Sequence, residues 1–166
     1  MRVLSVANRH PRLRVGRRSV AGAIAALDAH AAQFRGGCPP GELSVAFLTD
    51  AALARLHGVF LGDPSRTDVI TFAGDRSLGM AGEICVSADA AERQAAGRRG
   101  GGVAAELALY VVHGWLHLAG FDDRDPAARR SMRGAEARAL RLLRAAGALP
   151  RLALRGFSVP STPVRA

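Results

Sequence analysis

Apolar residues recur at helical spacing through residues 19–34 (Val20, Ala23, Ile24, Leu27, Ala31, Phe34), and a Gly- and Pro-rich run at 36–41 ends that segment. Residues 2–7 before it and 43–48 after it read as strands. Asp50 is placed to cap a short helix whose inward face is Leu53, Leu56 and Phe60. The loop 62–66 leads into a β-branched strand, 68–72, and the turn 74–79 separates it from another, 82–87, so these two are expected to form a hairpin. Residues 88–97 read as a polar helix. Residues 103–118 are apolar nearly all round, which predicts a helix covered on most sides. Asp125 and Pro126 suit the cap and first turn of a final helix running to about residue 146. Residues 150–166 show little periodicity and read as a flexible basic tail, leaving residues 1–149 as a single domain. The order β-α-β-α-β-β-α-α-α predicts an α+β fold, a four-stranded mixed sheet packed by helices around the central apolar one.

Composition narrows the class. A chain of 166 residues fits one domain, and 49% hydrophobic residues exclude a disordered one. The balance of 23 basic and 14 acidic residues leaves +9, carried by Arg alone, since there is no Lys. Such a charge points to a polyanion, RNA first, although a GC-rich genome produces the same Arg, Ala and Gly bias. Cys38 and Cys85 stand far apart without C-x-x-C spacing, so neither a disulfide scaffold nor a thiolate zinc site is expected. Both read as small buried hydrophobes in a reducing compartment. The first residues contain no apolar signal-peptide core, and the segment 103–118 carries Glu106, His113 and His117. That falls short of the roughly 20 apolar residues of a membrane span. A soluble cytoplasmic protein is expected.

Arginines gather in three places: Arg9, Arg12, Arg14, Arg17 and Arg18; Arg98 and Arg99; and Arg130, Arg133, Arg141 and Arg144. The last set recurs at helical spacing opposite Met132, Ala135, Ala139, Leu142 and Ala146. Each set alone is an ordinary solvated face. Together they can track an RNA backbone, with affinity falling steeply in salt. The glycines at 97–102 lack G-K-[ST] and form no nucleotide loop.

The chemistry lies in His113-Gly-Trp-Leu-His117-Leu-Ala-Gly120-Phe-Asp122-Asp123. On a helix, positions i and i+4 lie about 5–6 Å apart on one face, so both imidazoles can address one ion. Gly120 permits the left-handed turn that ends a helix, and a carboxylate three residues on can swing back as a third ligand. Asp123 fits that offset best, and Asp122 is the other candidate. Three ligands leave a tetrahedral zinc one open position, where the pKa of a water falls to about 7. The bland alternative is a pair of polar histidines near a helix end. In zinc peptidases of this spacing the residue after the first His is a Glu base; here it is Gly114, which disfavours that class.

HGWLHLAGFDD resembles the H-G-x-L-H-L-x-G-Y-D-H signature of the YbeY family, metal-dependent endoribonucleases of bacterial ribosomal RNA maturation. Leu56-His-Gly-Val-Phe60 followed by Thr67-Asp68-Val-Ile-Thr-Phe72 resembles the family's L-N-x-x-Y-R…P-T-D-V-L-S-F, and Ala81-Gly82-Glu83-Ile84 its G-D-I strand. The likeness covers about residues 40–145. It implies one zinc per chain on His113, His117 and, where the family has a third histidine, Asp123. It also implies cleavage of single-stranded RNA near the 3′ end of small-subunit ribosomal RNA, a role in ribosome quality control, and ribosomal particles as partners. No small organic cofactor and no membrane partner are implied. Leu61 replaces the family's arginine and Arg66 its proline, so Arg66 is the catalytic candidate for the missing guanidinium. His57, in place of an asparagine, and Glu83 are candidate cleft residues. Two other readings stand beside this one. One is a zinc peptidase; the other is a ribosome-assembly factor that binds RNA without cutting it, which the changes at Leu61 and Asp123 keep open.

Weaker candidates are Glu106, about 10 Å along the helix from His113 and better placed for support than for base catalysis, and Thr67 and Asp68, which cap a turn or shape the cleft. Trp115 and Tyr110 are expected to pack rather than stack on bases.

Overall fold

The computed structural model describes residues 2–97 and 102–156. The chain runs β1 (Arg2–Asn8), β2 (Leu13–Val15), α1 (Arg17–Ala29), β3 (Gly41–Leu48), α2 (Asp50–Leu61), β4 (Val69–Ala73), β5 (Met80–Ser87), α3 (Ala88–Gly97), α4 (Val103–Leu118), α5 (Pro126–Ala145) and β6 (Leu152–Leu154). The main sheet has the order β1-β3-β5-β4. Its first three strands are parallel, and β4 joins the edge antiparallel to β5, the expected hairpin. The fold is therefore α+β with a mixed four-stranded sheet, as the element order predicted.

Alternation along the strands separates two cores. Leu43, Val45, Phe47, Ile84 and Val86 face α1, α4 and α5, whereas Ala46, Leu48, Ile70 and Cys85 turn to the other face, under Leu53 of α2. Helix α4 is the hub: Leu107, Val111, Val112, Trp115 and Leu116 are fully or almost fully buried. Burying such a side chain contributes roughly 1.5–3 kcal/mol each. Trp115 fixes the rotation of α4. Its Nε1 donates to Asp28 Oδ1 at 3.0 Å, its ring meets Phe34 edge-on at 5.6 Å, and Asp28 is itself held by Arg2. A Cβ at Gly114 would lie 2.5 Å from Ile84 Cγ2 and 3.1 Å from Thr71 Oγ1, so a glycine is what lets α4 settle on β5 and β4.

Several expectations need correction. The cap of α2 is Thr49, whose hydroxyl accepts from Ala52 N at 3.2 Å; Asp50 is instead the first helical residue, bonded by Ser87 and Arg93. Phe60 is 64% exposed rather than inward, touching the sheet only through the edge contact of its ring with Phe72. Helix α1 stops at Ala29, and a single 3₁₀ turn, Ala31–Gln33, carries the chain to buried Phe34. In α5 the buried position is Leu143 rather than Leu142, and Ala146 is exposed. The supposed tail does not begin at residue 150. Leu152–Leu154 forms β6 antiparallel to β2, with both leucines buried. Neither three-residue strand is long enough to show a period, so both were invisible to patterning. Residues 157–166 lie outside the described residues. Both cysteines are free and buried, and burial pushes their thiols up, Cys38 to about 11 and Cys85 to about 12. No helix among the described residues is long and apolar enough to cross a membrane.

Candidate metal centre

The last two turns of α4 carry His113 and His117 on one face. Gly120, at φ +88°, then reverses the chain, with Gly120 N bonded to His117 O and Phe121 N to Leu116 O, both at 3.0 Å. Phe121 buries its ring and anchors the turn. Arg35 fastens it from outside. Its guanidinium donates to Gly120 O at 2.6 Å and lies 4.3 Å over the Phe121 ring, while its own backbone takes a left-handed φ of 56°.

The reversal returns Asp123 to the histidines. Asp123 Oδ2 lies 3.6 Å from His113 Nε2 and 3.9 Å from His117 Nε2, and one ligand atom from each residue falls within 4.8 Å of the other two. Asp122 points elsewhere, towards Arg124 Nε at 3.4 Å and Asp123 N at 2.8 Å. Of the two aspartates, the turn brings only Asp123 into the cluster.

Hydrogen bonding on the far side of each ring sets the chemistry. His113 Nδ1 lies 2.7 Å from Glu136 Oε1, and His117 Nδ1 lies 3.1 Å from the Phe121 carbonyl. Carboxylates and carbonyls accept, so each Nδ1 carries a proton and neutral rings present bare Nε2 lone pairs. Those Nε2 atoms face each other at 2.9 Å. Two lone pairs at that separation repel unless a cation lies between them. A proton shared between the rings, or a metal ion, would relieve this. Burial pulls His113 down, but Glu136, then Asp123 and Asp68, hold it above its ordinary value. Burial and the charge of His113 push His117 below its own. A divalent ion fits the same donor set: two imidazoles, a carboxylate, and a carboxylate-backed histidine.

The cluster opens into a cleft of about 550 Å³ that runs along the free edge of β4. His57 and Leu61 form one wall, and Arg76 and Arg124 stand at the rim. His57 is thus brought to the cleft, its Nδ1 3.1 Å from Ser65 O. Arg66 is not: with Thr67 and Asp68 it lines a neighbouring hollow beside Arg93. Glu83 alternates onto the opposite face of the sheet, within 3.4 Å of Ser44 Oγ. Glu106 is buried in the first turn of α4, and Tyr110 and Trp115 are buried as packing residues. Sequence reasoning missed Glu136, Arg76, Arg124 and Arg35. Only Glu136 left a signal, as the sole acid in arginine-rich α5. Of the arginine sets, Arg12 is engaged by Glu92 at 2.6 Å, whereas Arg9, Arg14, Arg17 and Arg18, and those of α5, are exposed. Arg98 and Arg99 lie outside the described residues.

A central helix with two imidazoles, followed by a turn that returns a carboxylate to them, faces an arginine-rimmed cleft, an arrangement able to hold a metal ion beside an anionic ligand. The family model described as Endoribonuclease YbeY matches residues 7–144. The chain belongs to that family, and membership supports an endoribonuclease role. Similar relatives include Endoribonuclease YbeY of Chlamydia abortus, 41% identical over 115 residues, covering 65% of this chain and 73% of the relative. That of Mycolicibacterium smegmatis is 37% identical over 106 residues, covering 57% and 59% respectively. The solution structure of TM1509 from Thermotoga maritima shares the fold, with a TM-score of 0.60 at 20% identity over 87% of this chain and 91% of that one.

Proposed function

We propose that this protein is a cytoplasmic, metal-dependent endoribonuclease that cuts single-stranded RNA near the 3′ end of small-subunit ribosomal RNA, with ribosomal particles as partners and a part in ribosome quality control. The observation that carries the metal dependence is the pair of opposed Nε2 lone pairs beside Asp123, an arrangement that asks for a cation. His113, His117 and Asp123 would hold one zinc per chain, with Glu136 and the Phe121 carbonyl orienting the rings. Zinc held there supplies Lewis acidity and lowers the pKa of a water towards neutrality.

The remaining work falls to the chain's own residues. Arg76 and Arg124, at the cleft rim, neutralise phosphates and offset charge that develops on the phosphoryl oxygens. Arg66 and Arg93, in the neighbouring hollow, hold the backbone beyond the reacting phosphate, which assigns Arg66 to binding rather than to the chemical step. A peptidase is disfavoured by packing as well as by sequence. The position where such enzymes carry their Glu base is Gly114, where any Cβ meets Ile84.

The test is metal content by plasma mass spectrometry, with cleavage of ribosomal RNA, on the full chain and on His113→Ala, Asp123→Ala and Asp122→Ala. Near one zinc per chain, lost with its cleavage in the first two variants and kept in the third, is the expected result. A metal-free protein that binds RNA without turnover would overturn it in favour of a non-cutting assembly factor.

A further inference from the structure

The apolar end of α2 has no place in the chemistry described so far. Val59, Phe60 and Leu61 are 77%, 64% and 58% exposed, an unusual run of consecutive apolar residues on so charged a chain. Its position gives it meaning. His57, Phe60 and Leu61 follow helical i, i+3, i+4 spacing, and His57 and Leu61 line the metal cleft. Phe60 lies between them in sequence on the same helix, exposed beside that cleft rather than among the residues that line it.

The ring is also held in place. Phe72 of β4 meets Phe60 edge-on, with centroids 5.4 Å apart and planes at 67°. An edge contact covers at most one face of Phe60 while restricting its rotation, so a face stays open and little ordering entropy is lost when a planar ligand arrives. Charge selects the ligand. Arg76 and Arg124 line the same cleft, and the net charge is +9, so an approaching partner is anionic as well as flat. An unpaired nucleobase on a phosphodiester backbone meets both conditions.

We propose that Phe60, next to the cleft-lining Leu61, is a stacking platform for one unpaired base of the substrate strand where that strand leaves the cleft. This rests on the endoribonuclease reading and deepens it. The platform accepts any base, since every base has a π-face, but it excludes duplex RNA, whose bases are already stacked. Leu61 then has a role of its own. With no guanidinium at that position, the wall grips the base by apolar contact, and phosphate neutralisation falls to Arg76 and Arg124.

The experiment uses the metal-loaded full chain and a single-stranded 2′-O-methyl oligonucleotide carrying the fluorescent base 2-aminopurine, with Phe60→Ala, Phe60→Leu and Phe60→Trp, each first checked for an unchanged thermal transition. Stacking predicts that Phe60→Ala and Phe60→Leu weaken binding about tenfold and abolish quenching of the base, while Phe60→Trp keeps both. The slope of affinity against salt should stay the same in all three, because no phosphate contact is removed, whereas Arg76→Ala should flatten it. In cleavage assays Phe60→Ala should also lose its preference for single-stranded over duplex RNA. Equal affinity and quenching in Phe60→Leu and wild type would overturn the proposal, leaving Phe60 as packing. So would a Phe60→Ala variant that binds RNA normally but no longer captures a ribosomal protein, which would make the patch a protein contact. Failure of the endoribonuclease reading is distinguishable, because wild type itself would then not cut RNA, whether or not it bound it.

Discussion

Glu136 offers the sharpest probe of how this cluster is tuned. Its Oε1 lies 2.7 Å from His113 Nδ1, both groups are partly buried, and the bond fixes the tautomer that exposes Nε2. Removing such a partner of a metal-bound histidine costs about 10- to 100-fold in metal affinity. Glu136→Ala should fall in that range at pH 8, where protons compete less with the metal than at pH 6. Glu136→Gln should lose less, because the amide oxygen still accepts from Nδ1–H while the charge is gone. The pH dependence then separates tuning from damage. Burial lowers the pKa of His113, and the bond and charge of Glu136 are foremost among the groups that raise it above its ordinary value. In wild type, protons therefore compete with metal from a higher pH. Without Glu136, burial dominates, His113 titrates lower, and the competition weakens. The affinity ratio between wild type and Glu136→Ala should shrink from pH 8 to pH 6. Stability of metal-free protein should move the opposite way. A raised folded pKa gives a stabilisation fully present below the unfolded value of about 6.5 and lost as pH rises through the folded one, so the variant should be most destabilised near pH 6. Isothermal titration with zinc against a competing chelator reads the affinities, and thermal melts read the stability. Equal affinities at pH 8, or a ratio that widens at pH 6, would refute the reasoning.

Gly114→Ala should destabilise by about 1–3 kcal/mol in urea melts even though alanine is the better helix former, because the new Cβ meets Ile84 Cγ2 at 2.5 Å in a packed core; a more stable variant would mean that α4 does not sit this close. Arg35→Ala should weaken zinc binding severalfold, and more than Arg35→Lys, since lysine keeps a charge over Phe121 but loses the fork that reaches Gly120 O; equal affinity in all three proteins would make the contact ornamental. Burial raises the Asp89 carboxyl, but Asp50 N–H, His10 and Arg12 together hold it below 3.8. Its stabilisation is present above that value and lost as pH falls through the lower folded pKa, so Asp89→Asn should show a shallower acid limb of stability, measured by circular dichroism below pH 4.

The helical period of 103–118, with two histidines at i and i+4 and a glycine three residues after the second, was enough to place the cluster at the end of a buried helix, because those relations are local. The β4–β5 hairpin and the cap of α5 were legible for the same reason. Even the exchange of glutamate for glycine after His113 could be read, although its cause could not. That cause is Ile84, thirty residues earlier in the chain and on a different element, which leaves no room for a Cβ.

What the sequence by itself determined is thus the set of local patterns: which segments turn, which alternate, and which residues lie on one face of one helix. Only the tertiary structure shows that Asp123 rather than Asp122 lies beside the histidines, because that depends on how Phe121 is buried and how Arg35 and Arg124 draw the turn. It also moved Arg66 out of the cleft and Glu83 to the other face of the sheet, and it brought in Glu136 from a helix 23 residues further on. The pairing of β2 with β6 joins two three-residue segments from opposite ends of the described chain. Periodicity reports neighbours along one element, whereas a metal centre is built where several elements converge, and that convergence is set by long-range packing.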